Sequence, residues 1–281
     1  RLRERIAHQL EETMPIIRHL GGTAPDVEAI TEQYLTYGES LRPHIQDATR
    51  VLSDEMKRGQ HVLFEGAQGA LLDVDHGTYP FVTSSTTLAA GACVSCGVGP
   101  TAISSVIGIA KAYTTRVGAG PFPTELHGEQ GELLRQAGAE FGATTGRPRR
   151  CGWLDIAALR LAVRLNGMAG LALTKLDVLA GQRKLKVCVG YKLAAEAGGS
   201  GTNEVLDELP LDPEDILRAV PIYEELDGWD AELKNVREVE DLPSSAKRYV
   251  RRIETLLGID CCLISVGPGR AETIMLKNPF R

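Results

Sequence analysis

The chain has 281 residues, of which 43% are hydrophobic and 24% are charged, and its formal net charge at pH 7 is −6. This composition is typical of a globular protein that can bury a sizeable core. An acidic balance argues against broad nucleic-acid binding, which needs a basic surface. The sequence shows no secretory signal and no apolar run of the roughly 18 residues that cross a bilayer. We therefore expect a cytoplasmic protein that binds neither membrane nor nucleic acid.

Residues 1–60 are predicted to be helical, because apolar side chains recur there at helical spacing. A first helix is predicted over residues 2–20 and a second helical stretch over residues 26–58, with Gly59 as its stop signal. The apolar face of the first helix consists of Ile6, Leu10, Met14 and Ile17.

Beyond residue 60 the pattern changes to short apolar runs that end in glycine or polar residues. These runs cover residues 61–66, 105–110, 170–174 and 261–266. Continuous apolar runs are typical of strands buried on both faces, as in a parallel sheet. Helical stretches over residues 155–166 and 245–257 separate some of them. The pattern predicts an α/β fold over residues 61–281, with ligand loops at the carboxyl ends of strands and an exposed loop at residues 196–203.

Six cysteines are scattered along the chain, at positions 93, 96, 151, 188, 261 and 262. Their density is too low for a disulfide scaffold, which favours a reducing compartment. Cys93 and Cys96 have the spacing of a redox or zinc motif. A zinc site would need two further ligands, and no second pair with matching spacing follows. The favoured interpretation is packed, reduced thiols without a metal.

The stretch GATTGRPRR at residues 142–150 combines two hydroxyls and three guanidiniums on one loop. Arginine presents a planar fork of donors that matches carboxylate and phosphate oxygens. Gly142 and Gly146 permit a close approach of backbone to ligand. A solvated basic turn is the alternative, but the flanking glycines, threonines and proline favour a loop that holds small anions.

The first predicted strand leads into EGAQG at residues 65–69 and then into DVDHGTYPFVTSS at residues 73–85. Gln68 lies between small residues, and its amide suits the edge of a heterocyclic base. The hydroxyls of residues 83–85 could bind phosphate or cap the next helix, which is their commoner use. His76 with its neighbouring aspartates could bind a metal, although a turn with locally bonded aspartates is the favoured interpretation.

Two other strands also end in polar residues. In LTKLD, at residues 173–177, a carboxylate past the strand could accept two parallel N–H bonds from guanine while the lysine stem covers the base. In SVGPGR, at residues 265–270, the glycines could bring backbone groups near a base or sugar, and a plain tight turn fits equally. The segment TRVGAGPFP at residues 115–123 is a fourth loop of this kind.

Taken together, these stretches closely resemble the adenylosuccinate synthetase family. The matching blocks, in chain order, are FEGAQG (64–69), DHGTYPFVTSS (75–85), TRVGAGPFPT (115–124), GATTGRPRRCGWLD (142–155), LTKLD (173–177) and ISVGPG (264–269). They extend over most of the chain and form a very specific set. The fold that the resemblance implies is a mainly parallel sheet with flanking helices, like that of P-loop NTPases.

The resemblance also implies a role for each loop, for three ligands. Inosine monophosphate (IMP) would contact Gln68, Thr83, Val117 and Arg147. L-Aspartate would contact Ala143, Thr144, Thr145, Gly146 and Arg147. GTP would contact Arg149, Lys175, Leu176, Asp177, Ser265, Val266 and Gly267, with Asp177 recognising guanine.

The implied reaction has two steps, and it forms adenylosuccinate, GDP and phosphate by way of a 6-phosphoryl-IMP intermediate. GTP phosphorylates the 6-oxygen of IMP, and the amine of aspartate then displaces the phosphate. Magnesium is the implied cofactor, because it neutralises phosphate charge during transfer. Members of the family act as homodimers.

One departure from the family pattern is large. The family's GDEGKGK phosphate loop, which carries the catalytic aspartate, and its later catalytic histidine have no counterpart in this sequence. We therefore expect that the N-terminal part of the family fold is missing, with the catalytic residues and the metal ligands. The chain alone would then be inactive. The alternative hypothesis is a non-catalytic nucleotide-binding or assembly module.

Overall fold

The computed structural model describes residues 1–142, 146–195 and 205–278. The chain divides into two compact units, Arg1–Arg58 and Gly59–Arg281. The helices are α1 Leu2–His19, α2 Val27–Leu41, α3 Ala48–Lys57, α4 Ala90–Cys96, α5 Glu129–Ala137, α6 Ile156–Asn166, α7 Pro213–Arg218 and α8 Ser244–Leu257. The strands are β1 Ile107–Lys111, β2 Thr114–Arg116, β3 Arg150–Gly152, β4 Leu154–Asp155, β5 Gly170–Thr174, β6 Gln182–Leu193, β7 Val205–Leu206, β8 Ala219–Trp229, β9 Cys261–Ser265 and β10 Thr273–Met275.

The first unit is helical, and α1 matches its prediction. The second predicted helix is wrong as one element, because α2 ends at Leu41 and a short 3₁₀ turn follows at Arg42–His44. Pro43 lies inside that turn and has no N–H to donate, so it interrupts the helical hydrogen bonding. The chain begins a new helix, α3, only after Asp47, whose carboxylate accepts the N–H of Arg50.

A four-stranded sheet in the order β1-β5-β9-β10 forms the centre of the second unit. β1, β5 and β9 are parallel neighbours, and β10 pairs antiparallel with β9. These three parallel strands are predicted from the apolar runs, so the α/β class with a parallel-dominated sheet is confirmed. The four described residues of β5 from Gly170 to Leu173 are buried, whereas Ile109 of the edge strand β1 is 78% exposed.

A second sheet was not predicted. In it β6 pairs parallel with β4 and antiparallel with β7 and with the long strand β8. Its strands alternate buried apolar with exposed charged side chains, as in Lys184 beside Leu185. One-sided strands lack the continuous apolar run that marked the central sheet. A short antiparallel pair, β2 with β3, completes the sheet structure among the described residues.

Helices α6 and α8 pack against these sheets. Asp155 caps α6 by accepting the N–H of Ala158, and α6 ends at Gly167 in the left-handed conformation (φ 57°) that favours glycine. Tyr249 of α8 is buried, and its hydroxyl donates to the carbonyl of Ala112 at 2.7 Å. Across the parts of the chain that the structure describes, no helix combines the length and apolar character needed to cross a membrane.

The strand predicted at residues 61–66 is wrong. This segment is irregular in the structure, and Leu63 is 75% exposed. A strand exists only when a neighbour completes its hydrogen-bond ladder, and no described residue pairs with this segment. The apolar run therefore indicates a tendency to form a strand, but the second unit provides no neighbouring strand for it among the described residues. The loop predicted at residues 196–203 lies outside the described residues.

Candidate functional site

The carboxyl ends of β5 and β9 lie side by side because the two strands are parallel neighbours. The LTKLD motif leaves β5 and the SVGPG motif leaves β9, so both motifs meet at one edge of the central sheet, where open α/β sheets bind ligands. A cavity of about 600 Å³ opens there. Its lining residues are Asp177, Ala180, Glu232, Leu233, Lys234, Val266, Gly267, Pro268, Gly269 and Glu272.

Three of the predicted GTP contacts, Asp177, Val266 and Gly267, line this cavity. Residues 232–234 line it too, and the sequence analysis did not single them out. They follow β8, a strand that was itself not predicted, and no local motif marks them. Only their position in the fold shows that they border the site.

Asp177 has an unusual environment for a carboxylate. Its Oδ1 atom is buried and has no hydrogen-bond partner. Burial raises the pKa of Asp177 above its ordinary value, and the charge of Lys175 opposes that change. A buried acceptor without a donor is costly unless a ligand supplies one. Asp177 itself lines the cavity, so its carboxylate is a candidate acceptor for an N–H group of a molecule bound there.

The turn after β9 is held by hydrogen bonds among its own residues. Ser265 donates its hydroxyl to the carbonyl of Gly267 at 2.8 Å, so this predicted ligand contact serves the turn itself. Glu272 accepts the N–H of Gly269 at 2.6 Å. A Cβ atom at Gly267 would lie 2.6 Å from the Glu272 carboxylate, so a side chain there would displace that carboxylate.

Lys175 and Arg149, also predicted to contact GTP, meet at Glu140. Lys175 has a left-handed backbone (φ 60°), which is unfavourable for a residue with a side chain. Its Nζ atom lies 3.0 Å from Glu140 Oε1, and Arg149 Nη1 donates to Glu140 Oε2 at 2.9 Å. The sequence analysis missed Glu140, because a single glutamate carries no local signal.

Glu140 is fully buried and strongly ionised. Burial by itself would raise its pKa, but hydrogen bonds from Lys111, Tyr113 and Lys175 outweigh burial and lower the pKa to about 2. The carboxylate is therefore charged at every physiological pH. It holds cations from three separate segments of the chain.

The predicted IMP contacts lie on exposed segments. Gln68 is exposed and has a left-handed backbone (φ 62°), a conformation that is rare for glutamine. Thr83 donates its hydroxyl to the carbonyl of Leu72 at 3.0 Å, so it neither caps α4 nor lacks a partner. Val117 is 51% exposed.

A buried guanidinium brings the segments of Thr83 and Val117 together. Arg116 donates to Thr78 Oγ1 at 2.9 Å and to the carbonyls of Phe81 and Ala119 at 3.0 and 3.1 Å. Burial lowers the pKa of Arg116 from its ordinary value. The structure thereby joins two loops that are more than thirty residues apart in sequence.

Fewer arginines of the loop at residues 142–150 are available to bind an anion than the sequence indicates. Of its three arginines, Arg150 belongs to β3 and pairs with Glu125, with Nε to Oε1 at 2.8 Å, and it also donates to Gly120. It is thus a structural crosslink and not an anion ligand, because its donors are already used. Arg147 and Gly146 are exposed beside it. The predicted aspartate contacts Ala143, Thr144 and Thr145 lie outside the described residues.

Metal-like motifs take other roles in the structure. Asp73 is buried and accepts N–H groups from Asp75, His76, Thr87 and Leu88 at 2.7–3.3 Å, as expected of a bonded turn. Cys93 and Cys96 are reduced and half-buried in α4. Among the described residues, no group of three or more His, Cys, Asp or Glu side chains could hold a metal ion.

Comparisons with known proteins identify the family of the chain. The family model for adenylosuccinate synthetase matches residues 1–274. The chain is 52% identical to the adenylosuccinate synthetase of Myxococcus xanthus, over 100% of the chain and 63% of that protein. It is also 52% identical to the one from Geotalea uraniireducens, over 96% of the chain and 61% of that protein.

A solved structure agrees with the fold as well. The fully ligated adenylosuccinate synthetase from Plasmodium falciparum superposes with a TM-score of 0.89 at 36% identity, over 98% of this chain and 63% of that one. The chain thus spans about three fifths of the length of these relatives. The resemblance carried by the motifs is confirmed, and the chain belongs to the adenylosuccinate synthetase family.

Proposed function

We propose that this chain forms the nucleotide- and substrate-binding portion of an enzyme that ligates L-aspartate to IMP with GTP, giving adenylosuccinate, GDP and phosphate. The observation that carries the proposal is Asp177, whose buried Oδ1 lacks a partner beside a cavity at the edge of the sheet. Guanine offers a ring N–H and an exocyclic amine side by side, and a carboxylate accepts both. Adenine has no such pair, so the site favours GTP as the phosphoryl donor.

Four of the other predicted nucleotide contacts would belong to the same site. Val266 and Gly267 line the same cavity as Asp177, so their backbone groups could contact the base or sugar. Lys175 precedes Asp177 by two residues, and the apolar stem of a lysine could cover the face of the base. Arg149 adds a guanidinium that can reach the sugar or phosphate oxygens.

IMP and aspartate are assigned to the neighbouring loops. Gln68, Thr83 and Val117 would contact IMP, and the segment from 143 to 147 would bind the carboxylates of aspartate. Arg147 would contact both, because a guanidinium can serve two anionic partners. The link that Arg116 makes between the Thr83 and Val117 segments supports a shared IMP site.

The proposed chemistry needs positioning and charge neutralisation. GTP phosphorylates the 6-oxygen of IMP and forms 6-phosphoryl-IMP. The amine of aspartate then attacks the ring carbon that bears this oxygen and displaces phosphate from it. In this scheme Asp177 orients GTP, Gln68 orients the purine of IMP, and Arg147 holds the amino acid. Magnesium would neutralise charge on the transferred phosphate. The described residues do not fit a magnesium site, so we assign no step of this chain to the metal.

The proposal extends to assembly and location. On the family resemblance we infer a homodimer that works in the cytoplasm. Light scattering on the purified protein measures the assembly directly, and a mass of one subunit at assay concentration would remove the dimer from the proposal.

The test is an assay of the protein made from the complete coding sequence that contains these residues. We expect release of GDP that requires IMP and aspartate together, with adenylosuccinate identified as the product by mass spectrometry. Folded protein that binds GTP without turnover would support the alternative, a non-catalytic nucleotide-binding module. Folded protein that neither binds GTP nor turns over would overturn the proposal.

A further inference from the structure

Five side chains form a cluster around one buried carboxylate. The Glu140 cluster, as we name it, consists of Glu140, Lys111, Tyr113, Arg149 and Lys175. Lys111 Nζ donates to the two carboxylate oxygens at 2.8 and 2.7 Å, and the hydroxyl of Tyr113 donates to Oε1 at 2.6 Å. Arg149 and Lys175 complete the set at 2.9 and 3.0 Å. The carboxylate thus binds four donors from three segments of the chain, since Lys111 and Tyr113 are two residues apart.

The cluster is layered from the interior to the surface. Glu140 and Tyr113 are 0% and 1% exposed, while the side chains of Lys111, Arg149 and Lys175 are 23%, 29% and 35% exposed. The anion therefore lies behind its cations and holds them from the inside. Arg149 and Lys175 are the two cations of the cluster that the proposed GTP site would use.

The charges of the cluster depend on Glu140. Three cations surround one anion, and without the anion they would repel one another within a partly buried space. Burial lowers the pKa of Lys111, the hydrogen bond and charge of Glu140 raise it, and the charges of Arg149 and Lys175 lower it further. Glu140 is thus the group that keeps these cations close together.

We propose that Glu140 is a positioning residue of the nucleotide site, whose buried carboxylate fixes Arg149 and Lys175 in the orientation in which they contact GTP. The inference rests on the proposed function, because it assumes that these two cations bind GTP. Long cationic side chains lose rotamer entropy when they bind a ligand, and a fixed partner removes part of that cost beforehand. Lys111 and Tyr113 hold the carboxylate in place for this role.

The test is Glu140→Gln, which keeps the shape of the side chain and removes its charge. In the protein made from the complete coding sequence, we expect the KM for GTP to rise about tenfold or more, the effect of losing charged hydrogen bonds. The KM for IMP should stay within about twofold of wild type, because the variant leaves the IMP loops intact. Glu140→Asp restores the charge at a shorter reach, so it should recover part of the GTP affinity.

The matched control is Glu224→Gln. Glu224 forms a two-pronged ion pair with Arg252 at 2.7 and 2.6 Å, away from the cavity-lining residues. The control also loses a carboxylate that binds an arginine, although this ion pair is more exposed, and it should leave the KM for GTP within about twofold of wild type. A control that raises this KM as much as Glu140→Gln does would overturn the proposal.

If Glu140→Gln fails to fold, Lys111→Met serves as the second variant, because it removes one cation and leaves the carboxylate paired. We expect it to raise the KM for GTP about threefold, since the carboxylate loses one of its anchors. A folded variant of either kind with wild-type KM for GTP, or with equal increases for GTP and IMP, would overturn the positioning role alone. A wild-type enzyme that does not require GTP would overturn the proposed function and this inference with it.

Discussion

At the scale of single residues, Asp177 is the group through which the proposed site distinguishes purines. Its Oδ1 is a buried acceptor without a donor among the described residues, and Asp177 lies where the cavity meets the strand end. Inosine triphosphate has the ring N–H of guanine but lacks the exocyclic amine. A comparison of GTP with inosine triphosphate therefore measures the second of the two hydrogen bonds that the carboxylate accepts.

The first prediction concerns Asp177→Asn. An amide offers one acceptor and adds a donor facing the guanine N–H groups, so it cannot accept both bonds. We expect kcat/KM for GTP to fall. The fall should correspond to a loss of about 1–3 kcal/mol in transition-state stabilisation, which is the size of a two-pronged base contact. The preference for GTP over inosine triphosphate should nearly vanish. The measurement is steady-state kinetics with each nucleotide.

The matched control for this prediction is Asp227→Asn. Asp227 lies in β8 and forms an exposed ion pair with Lys184 of β6. Its amide variant therefore tests for a general effect of losing an acidic charge. It should preserve the nucleotide preference. If Asp177→Asn also keeps the wild-type preference, Asp177 does not recognise guanine.

At the scale of elements, local pattern predicts what local forces decide. Four elements form where the apolar pattern predicts them: β5, β9, α6 and α8. Their apolar side chains are buried in the fold, and that requirement is visible in the local sequence. The segment over residues 61–66 has a similar apolar run, but a strand also requires a partner, and the sequence of one segment does not contain that information. Glu140 was missed for a related reason: its four partners come together only in the tertiary fold.

A prediction within the central sheet tests whether the burial of an apolar side chain, and not its apolar character alone, determines its contribution to stability. Leu173 of β5 is fully buried, whereas Ile109 of β1, which is equally apolar in sequence, is 78% exposed. Leu173→Ala should lower the free energy of unfolding by about 2–5 kcal/mol, because it leaves a cavity in the core. Ile109→Ala should change it by no more than about 0.5 kcal/mol. Urea unfolding measures both, and equal losses would contradict the burial that distinguishes the two strands.

The paired strands β6 and β8 provide a second prediction at this scale. A Cβ atom at Gly228 would lie 1.7 Å from the backbone carbonyl oxygen of Gln182 in the partner strand. Gly228→Ala must therefore push the strands apart, at a cost of about 1–3 kcal/mol in unfolding free energy. Gly99→Ala is the control, because Gly99 has open space around it and a negative φ of −62°. Equal stability of the two variants in urea would show that the pair is looser than described.

At the scale of the whole molecule, charge is distributed unevenly. The chain carries a formal net charge of −6, yet the Glu140 cluster gathers three cations around one anion, an excess of two positive charges within the cluster, whereas the cavity lining contains three carboxylates and one lysine. An acidic body with a local positive spot attracts a small anion without general affinity for polyanions. This contrast was visible in the composition and the arginine loop. Which arginines face outward was not, because Arg150 turns inward to Glu125 only in the fold.

Asp155 should contribute stability to the second unit that falls as pH rises from about 4 to about 6. Burial raises the pKa of Asp155 to about 6, and hydrogen bonds from Tyr191 and from the N–H of Ala158 only partly oppose it. In the unfolded chain this pKa is about 3.9, so within the window the folded protein holds a proton that the unfolded chain has lost. The contribution is complete below about pH 4 and lost above about pH 6, with a size of up to about 3 kcal/mol.

Asp155→Asn tests this assignment, because the amide imitates the protonated carboxyl and its oxygen can still cap α6. The unfolding free energy of the variant minus that of wild type should rise across this window, and other carboxylates cancel in the difference. Both tryptophans, Trp153 and Trp229, are buried in the second unit, so their fluorescence reports its unfolding in urea without a signal from the helical unit. Parallel pH profiles of the two proteins would show that Asp155 is ionised in the fold, and the buried pair with Tyr191 would then be a charged one.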